Sequence, residues 1–397
     1  MSPSTPALVN PDLLAWARMQ AGYSLSDAAS KIGVNEARLL SWEAGPERPS
    51  VAKARDLAKL YRRPLALFFL NQPPNAYDLL RDFRRLPGTF RREESPSLLW
   101  AIRQARYRRQ VALDLIREGN EDLPRFSGKT TLATKPEELG ARMRRQLGIS
   151  VEQQRRFHNP YEALNAWREA LESNGVLVFQ SSRISMKEMR AVCLPEDPLP
   201  AILLNGADHP HGRVFSLLHE LAHLLLVRGG VIGTKEEKRL RPEDQQIEVF
   251  VNGSAGAALL PREDFLSDSL VVTQGESSEW PEDVLSKLSN RYSVSKEVIL
   301  RRLVILGVAR EEIYQRRKQD WEEAAKLKPE RVQEGAPPVP VRTLSQVGKA
   351  FARLVLDSYH RGAITMNDVS NYFDMKPKWI PEFEQHMAGA NPRWSSI

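Results

Sequence analysis

Cysteine is almost missing from this chain. Cys193 is the only one among 397 residues, so no intramolecular disulfide can form and a reducing compartment is the expectation. Long hydrophobic runs are missing too: LALFFL at 65–70 and the apolar stretch around His219 both fall short of the ~18 residues that a membrane span needs. The opening MSPSTPALVNPD holds no basic segment followed by an apolar one, so nothing there points to secretion. Internal repeats and long low-complexity tracts are absent as well. These gaps lead us to expect a soluble, cytoplasmic protein with no membrane partner. Its 42% hydrophobic content can supply a core to each of two or three domains.

Charge is present but unevenly spread. The formal net charge is +7, and residues 76–160, with 18 Lys+Arg against 11 Asp+Glu, account for all of it. A positive balance favours an anionic partner such as nucleic acid, although a mild excess is also common in plain soluble enzymes.

Hydrophobic spacing and turn residues divide the chain. Residues 11–70 read as five short helices, with SLSDAASKIGV starting at a capping serine and stopping at Gly33, and NEARLLSWEAG opening on Asn35. This gives an all-α unit over 1–75. A basic helical connector over 76–135 follows, containing RDFRRLPGTFRREES and one longer helix at 96–120. From 136 to 327 helices surround three β-branched runs, VLVF (176–179), RAVCL (190–194) and AILLN (201–205), which predict a small sheet. A Pro-rich linker at 328–342 should then set apart a small helical segment, 343–397. The expected class is α+β, mainly α.

The stretch LLHELAHLLL (217–226) carries the chemistry. His219 and His223, four apart on a helix, share one face and can present their imidazoles to one metal ion. With Glu220 they form HExxH, the zincin arrangement, in which two neutral imidazoles hold Zn²⁺ and the glutamate takes the proton from the water that the metal acidifies. The competing reading is an amphipathic core helix with two satisfied histidines. Apolar residues on nearly every other side favour the metal helix.

A catalytic zinc needs a third protein ligand. Downstream stand Glu236, Glu237, Glu243, Asp244 and Glu248. Glu248 is best placed, since it shares a helical face with Val251, Asn252, Ala255 and Leu259, and the small residues 253–256 would allow close helix approach. An ordinary surface carboxylate is the alternative. His209, His211 and Arg213 lead into the metal helix and are candidates for contact with substrate or with a developing oxyanion; for the two histidines a plain loop role is the competing view.

FSLLHELAHLLL followed by EVFVNGSAGAALLP (248–261) resembles the ImmA/IrrE metallopeptidase family. The resemblance implies a zincin-like domain in which His219 and His223 bind zinc, Glu220 is catalytic and Glu248 is the third ligand, with Asn252 and Pro261 at the family's positions. Ser254 and Ala257 depart from it, where the family usually has a phenylalanine and an acidic residue. The N-terminal helices resemble the Xre-type, lambda-repressor-like helix-turn-helix, with Ala29, the Gly33 turn and the Trp42-Glu43 ending of the recognition helix. That fold places the second helix of the motif in the major groove, so Asn35, Glu36, Arg38 and Ser41 become the candidate contacts to double-stranded DNA at an operator or promoter. A protein-interaction module is the alternative. Arg103, Arg106 and Arg109 form one stripe that could meet phosphates but reads better as a solvated face, and Tyr107 among them reads as packing.

Together these imply a DNA-binding regulator carrying a zinc metallopeptidase that cleaves a regulatory protein such as a repressor, with homodimers expected of Xre-type domains. The competing function is a non-proteolytic transcription factor or antitoxin-like binder whose zinc site is structural or sensory.

Overall fold

The structure is a computed structural model that describes residues 5–73, 95–122, 126–228, 242–275, 279–327 and 337–389. The chain divides into two compact units, Met1–Gln104 and Ala105–Ile397, each described by itself.

The first unit packs α1 (Pro11–Gln20), α2 (Leu25–Ile32), α3 (Glu36–Ala44) and α4 (Val51–Tyr61). Asn10, Ser24, Asn35 and Ser50 cap the four helices, each side-chain oxygen accepting a backbone N–H of the first turn. Gly33 and Gly45 end α2 and α3 in the left-handed region, at φ 67° and 96°. The expected fifth helix is a 3-10 turn, Leu65–Phe69, because Pro64 fixes its start and only five residues follow before the chain extends. Leu13, Leu14, Leu39, Trp42, Leu57, Tyr61 and Phe68 form the core. Arg18 fastens α1 to the end of α3, its Nε donating to Glu43 Oε1 at 2.8 Å and its Nη2 to Oε2 at 2.9 Å.

The long helix α5 (Pro96–Glu118) crosses the boundary between the units. In the second unit come α6 (Pro136–Leu147), α7 (Val151–Arg155) and α8 (Pro160–Ser173), then β1 (Leu177–Ser181), β2 (Ala191–Leu194) and β3 (Ala201–Asn205). The sheet order is β1-β3-β2. β1 runs parallel to β3 with Leu177 beside Ala201, and β2 runs antiparallel with Ala191 beside Leu204. The strands are buried along nearly their whole length, which is why they read as unbroken apolar runs.

Helices α9 (Pro210–Arg228) and α10 (Pro242–Leu259) follow, then α11 (Arg262–Leu266), α12 (Ser269–Gln274), α13 (Glu282–Tyr292), α14 (Lys296–Ile305) and α15 (Glu311–Leu327). The chain closes with α16 (Val339–Val347), α17 (Lys349–His360), α18 (Met366–Phe373) and α19 (Ile380–Gly389). α10 packs against both α6 and α9. The approach to α6 is very close: a Cβ added to Gly140 would lie 2.7 Å from the Ala257 Cβ and 2.7 Å from the Ala258 nitrogen. The end of α10 is held by buried side chains. Arg144 Nη1 donates to Ala258 O (2.6 Å), Gln154 Nε2 to Leu259 O (3.2 Å) and Arg302 Nε to Leu260 O (2.9 Å).

Two expectations change. Arg106 and Arg109 are not a solvated face: Arg106 Nε pairs with Glu196 at 2.8 Å, and Arg109 donates to the carbonyls of Glu196, Pro198 and Leu199 at 2.7–2.8 Å, clamping the loop between β2 and β3. Arg103 lies 5.6 Å over the Trp100 ring and is also no free stripe. Tyr107 packs on Tyr372 at 6.2 Å, as expected. The C-terminal helices are not set apart either. They belong to the second unit, where Phe351 of α17 meets Phe179 of β1 edge-on at 5.8 Å and Ser345 O of α16 accepts from Gln180 Nε2. Pro340 sits in the first turn of α16, so the end of the Pro-rich tract is helical. Residues 328–336, and the basic stretch 81–92, lie outside the described residues.

Candidate metal centre and nucleic-acid interface

Buried Leu217, Leu218, Leu221, Ala222 and Leu224–Leu226 fix α9 in the core of the second unit. Their spacing leaves one edge for His219 and His223, a helical turn apart. The two Nε2 atoms stand 3.1 Å from each other. Glu248, near the start of α10, brings its carboxylate to them, with Oε1 3.3 Å from His223 Nε2 and Oε2 3.7 Å from His219 Nε2. One ligand atom from each of the three lies within 4.8 Å of the others, and no other group of this kind occurs among the described residues.

This set fits zinc. Ligands ~2.0–2.1 Å from a tetrahedral ion stand roughly 3.3 Å apart, close to the separations here, and two imidazoles with one carboxylate are the His₂Glu set of a catalytic site. The outer contact fits as well. His219 Nδ1–H donates to Asn252 Oδ1 at 3.0 Å, which fixes the proton on Nδ1 and leaves the Nε2 lone pair facing the other two donors. Burial holds the His219 imidazole below its ordinary pKa against the opposing pull of the Glu220 carboxylate, so the ring stays neutral as metal binding requires. Glu220 is itself buried beside the two histidines, outside the three-donor group. Sequence reasoning put Asn252 on the Glu248 face without giving it a task; its spacing of four from Glu248 was the available signal.

The remaining candidates fall elsewhere. Arg213 is buried, donates to Gln180 Oε1 of β1 and lies 5.8 Å from the Tyr161 ring. It stands six residues before His219, about 240° around the helix. His211 is two turns before His219, ~12 Å along the axis, and its ring lies 4.9 Å from that of exposed His209. Loss of water, and then the neighbouring His209, push the His211 pKa down to about 4. Asp244 is on α10 but outside the donor group, while Glu236, Glu237 and the side chain of Glu243 lie outside the described residues.

On α3, Asn35, Glu36 and Arg38 are exposed at the N-terminal end. Asn35 Oδ1 is occupied as the cap, accepting Arg38 N–H at 2.8 Å, and the Arg38 guanidinium lies 5.9 Å from the Trp42 ring. Ser41 is half-buried, its hydroxyl is shielded from solvent, and its backbone carbonyl accepts the Gly45 N–H that closes α3 at 3.1 Å.

Comparison with known families agrees with both halves. Residues 172–304 match the family described as the IrrE N-terminal-like domain, a peptidase family, and residues 14–68 match the helix-turn-helix family. A search of curated proteins finds no match. The chain therefore carries a helix-turn-helix region and a region similar to a metallopeptidase family. More particularly, the chain joins an Xre-like helix-turn-helix to an IrrE/ImmA-like domain, the fusion that its motifs resemble. No helix among the described residues is long and apolar enough to cross a membrane.

Proposed function

We propose that the second unit is a zinc-dependent endopeptidase that cleaves a regulatory protein such as a repressor, and that the first unit brings it to operator or promoter DNA. The convergence of His219, His223 and Glu248, with Asn252 setting the His219 tautomer, carries this reading. Zinc held by those three side chains would polarise the scissile carbonyl and acidify a water molecule. Glu220 would take the proton from the attacking water and return it to the leaving amine. The scheme gives no role to His209, His211 or Arg213, the last of which is engaged with Gln180.

Elemental analysis of the purified protein tests the site. We expect about one zinc per chain, lost in His223→Ala and Glu248→Ala. A wild-type protein that stays metal-free when zinc is supplied would make the HELAH helix plain core. Glu220→Gln then separates the functions: it should keep the metal and abolish cleavage of the partner. Regulation in cells that survives Glu220→Gln would replace the peptidase with a structural or sensory zinc site in a non-proteolytic binder. For the first unit, Arg38→Ala should weaken promoter binding by about 1–3 kcal/mol and reduce its salt dependence. Binding that is unchanged and insensitive to salt would remove α3 from the interface.

A further inference from the structure

Leu39, Trp42 and Glu43 turn one face of α3 into the first unit and leave the opposite face uncovered within it. At about 100° per residue, Ala37, Leu40, Ser41 and Ala44 fall in the middle of that outer face, within about 100° of one another, while Glu36 and Arg38 stand at its two edges. Ala37 and Ala44 are exposed, Ser41 is half-buried with its hydroxyl shielded, and Leu40 is 53% exposed. The middle of the face is therefore apolar, and its one large side chain is Leu40.

α3 is the second helix of the helix-turn-helix, after α2 and the Gly33 turn, within the residues 14–68 that match that family. That position sends its outer face into the major groove. The charge around it suits an anion: residues 5–73 hold nine Lys+Arg against six Asp+Glu, Arg18 already neutralises Glu43, and Lys31 and Arg38 are exposed. Reading guanine, adenine or cytosine there takes a side chain that donates or accepts a hydrogen bond, and Ala37, Leu40 and Ala44 do neither. The one apolar target that the four bases display in the major groove is the C5-methyl of thymine.

We propose that Leu40 is the specificity-determining residue of the first unit and packs on a thymine methyl in the major groove. The small side chains of Ala37 and Ala44 leave room for the neighbouring base pairs, and Arg38, at the edge of the face, meets a phosphate. The contact takes two apolar groups out of water, which for one methyl is worth about fourfold in affinity. Over a G·C pair Leu40 would instead cover the guanine O6 or the cytosine N4 without pairing with it, and that loss adds to the preference. The inference rests on the proposed DNA-binding role of the first unit and adds which base its helix reads.

The test starts from duplexes that the full chain selects out of a random-sequence DNA pool. These should share a thymine, and remaking them with deoxyuridine at that position, which removes only the methyl, should weaken binding about fourfold. Leu40→Ala should bind the thymine and uracil duplexes equally, with an unchanged melting curve because the side chain is exposed. Arg38→Ala should weaken both duplexes alike and keep the preference for thymine. Selected sites without a common thymine, uracil duplexes that bind as well as the originals, or a thymine preference that survives Leu40→Ala would each overturn the proposal while leaving DNA binding intact. A Leu40→Ala variant that changes sedimentation and keeps its base preference would make the residue a contact between copies of the chain and overturn it too. A chain that binds no duplex even at low salt would remove the DNA-binding role itself, and this proposal with it.

Discussion

Replacing Asn252 with alanine removes a side chain that lies outside the candidate donor group yet holds one of its imidazoles. His219 Nδ1 donates to Asn252 Oδ1 at 3.0 Å, and only with that proton on Nδ1 is Nε2 free to face His223 and Glu248. Without the amide the ring can carry its proton on Nε2 and can turn. Outer contacts of this kind are worth about 10–100-fold in metal affinity. Asn252 is exposed, so water can take the place of the lost oxygen. The expectation therefore sits at the low end, about tenfold or ~1.4 kcal/mol. Competition against a chromophoric zinc chelator near neutral pH measures it, with Glu248→Ala as the larger loss that sets the scale. Asn252→Asp, which keeps an acceptor and adds negative charge, should bind zinc at least as well as the wild type. An Asn252→Ala affinity within twofold of wild type, or an aspartate variant as weak as the alanine one, would refute the role of Nε2 as ligand atom.

Three further outcomes concern the scaffold. Gly140→Ala should destabilise the protein by about 2 kcal/mol in chemical denaturation, despite the better helix propensity of alanine, because the new methyl meets the backbone of α10, which cannot step aside; a neutral or stabilising result would mean that the two helices separate freely. Arg302→Ala should cost roughly 3 kcal/mol, since it leaves Leu260 O without its donor and breaks the bidentate pair with Glu137 at 2.6 and 2.7 Å, and a loss under ~1 kcal/mol would argue against the anchoring of α10. Glu172 holds its proton up to about 7 in the folded chain, well above an ordinary glutamate. The folded state thus binds more protons than the unfolded one between ~4.5 and 7, and stability falls as pH rises through that window. Glu172→Gln should flatten this fall in pH-dependent melting, and an unchanged slope would place the titration elsewhere.

Patterns that depend on local chemistry were legible before the fold. The caps Ser24 and Asn35 and the Gly33 stop follow from a side-chain oxygen at one end and a left-handed turn at the other, and both appear. The three strands appear within a residue or two, because burial along their whole length leaves an unbroken apolar run. HExxH fixes a face by helical period alone. Glu248 needed a second helix to be placed, and only the family resemblance singled it out firmly. Long-range uses of side chains were not legible. An arginine three or four residues from the next looks the same whether it meets water or, like Arg106 and Arg109, clamps a loop 90 residues away. Likewise a Pro-rich tract predicts a spacer, but whether the helices after it find a surface depends on Phe179 and Phe351 meeting, and no local pattern encodes that.

The three candidate metal donors come from two helices, the histidines from α9 and the carboxylate from α10. An ion gripping both is a clasp, and opening the fold means letting it go. Zinc at a hundredfold excess over its dissociation constant would add about 2.7 kcal/mol to the work of unfolding. Zinc starvation would then shorten the lifetime of this protein as well as silence it, so that its abundance would follow the supply of the ion.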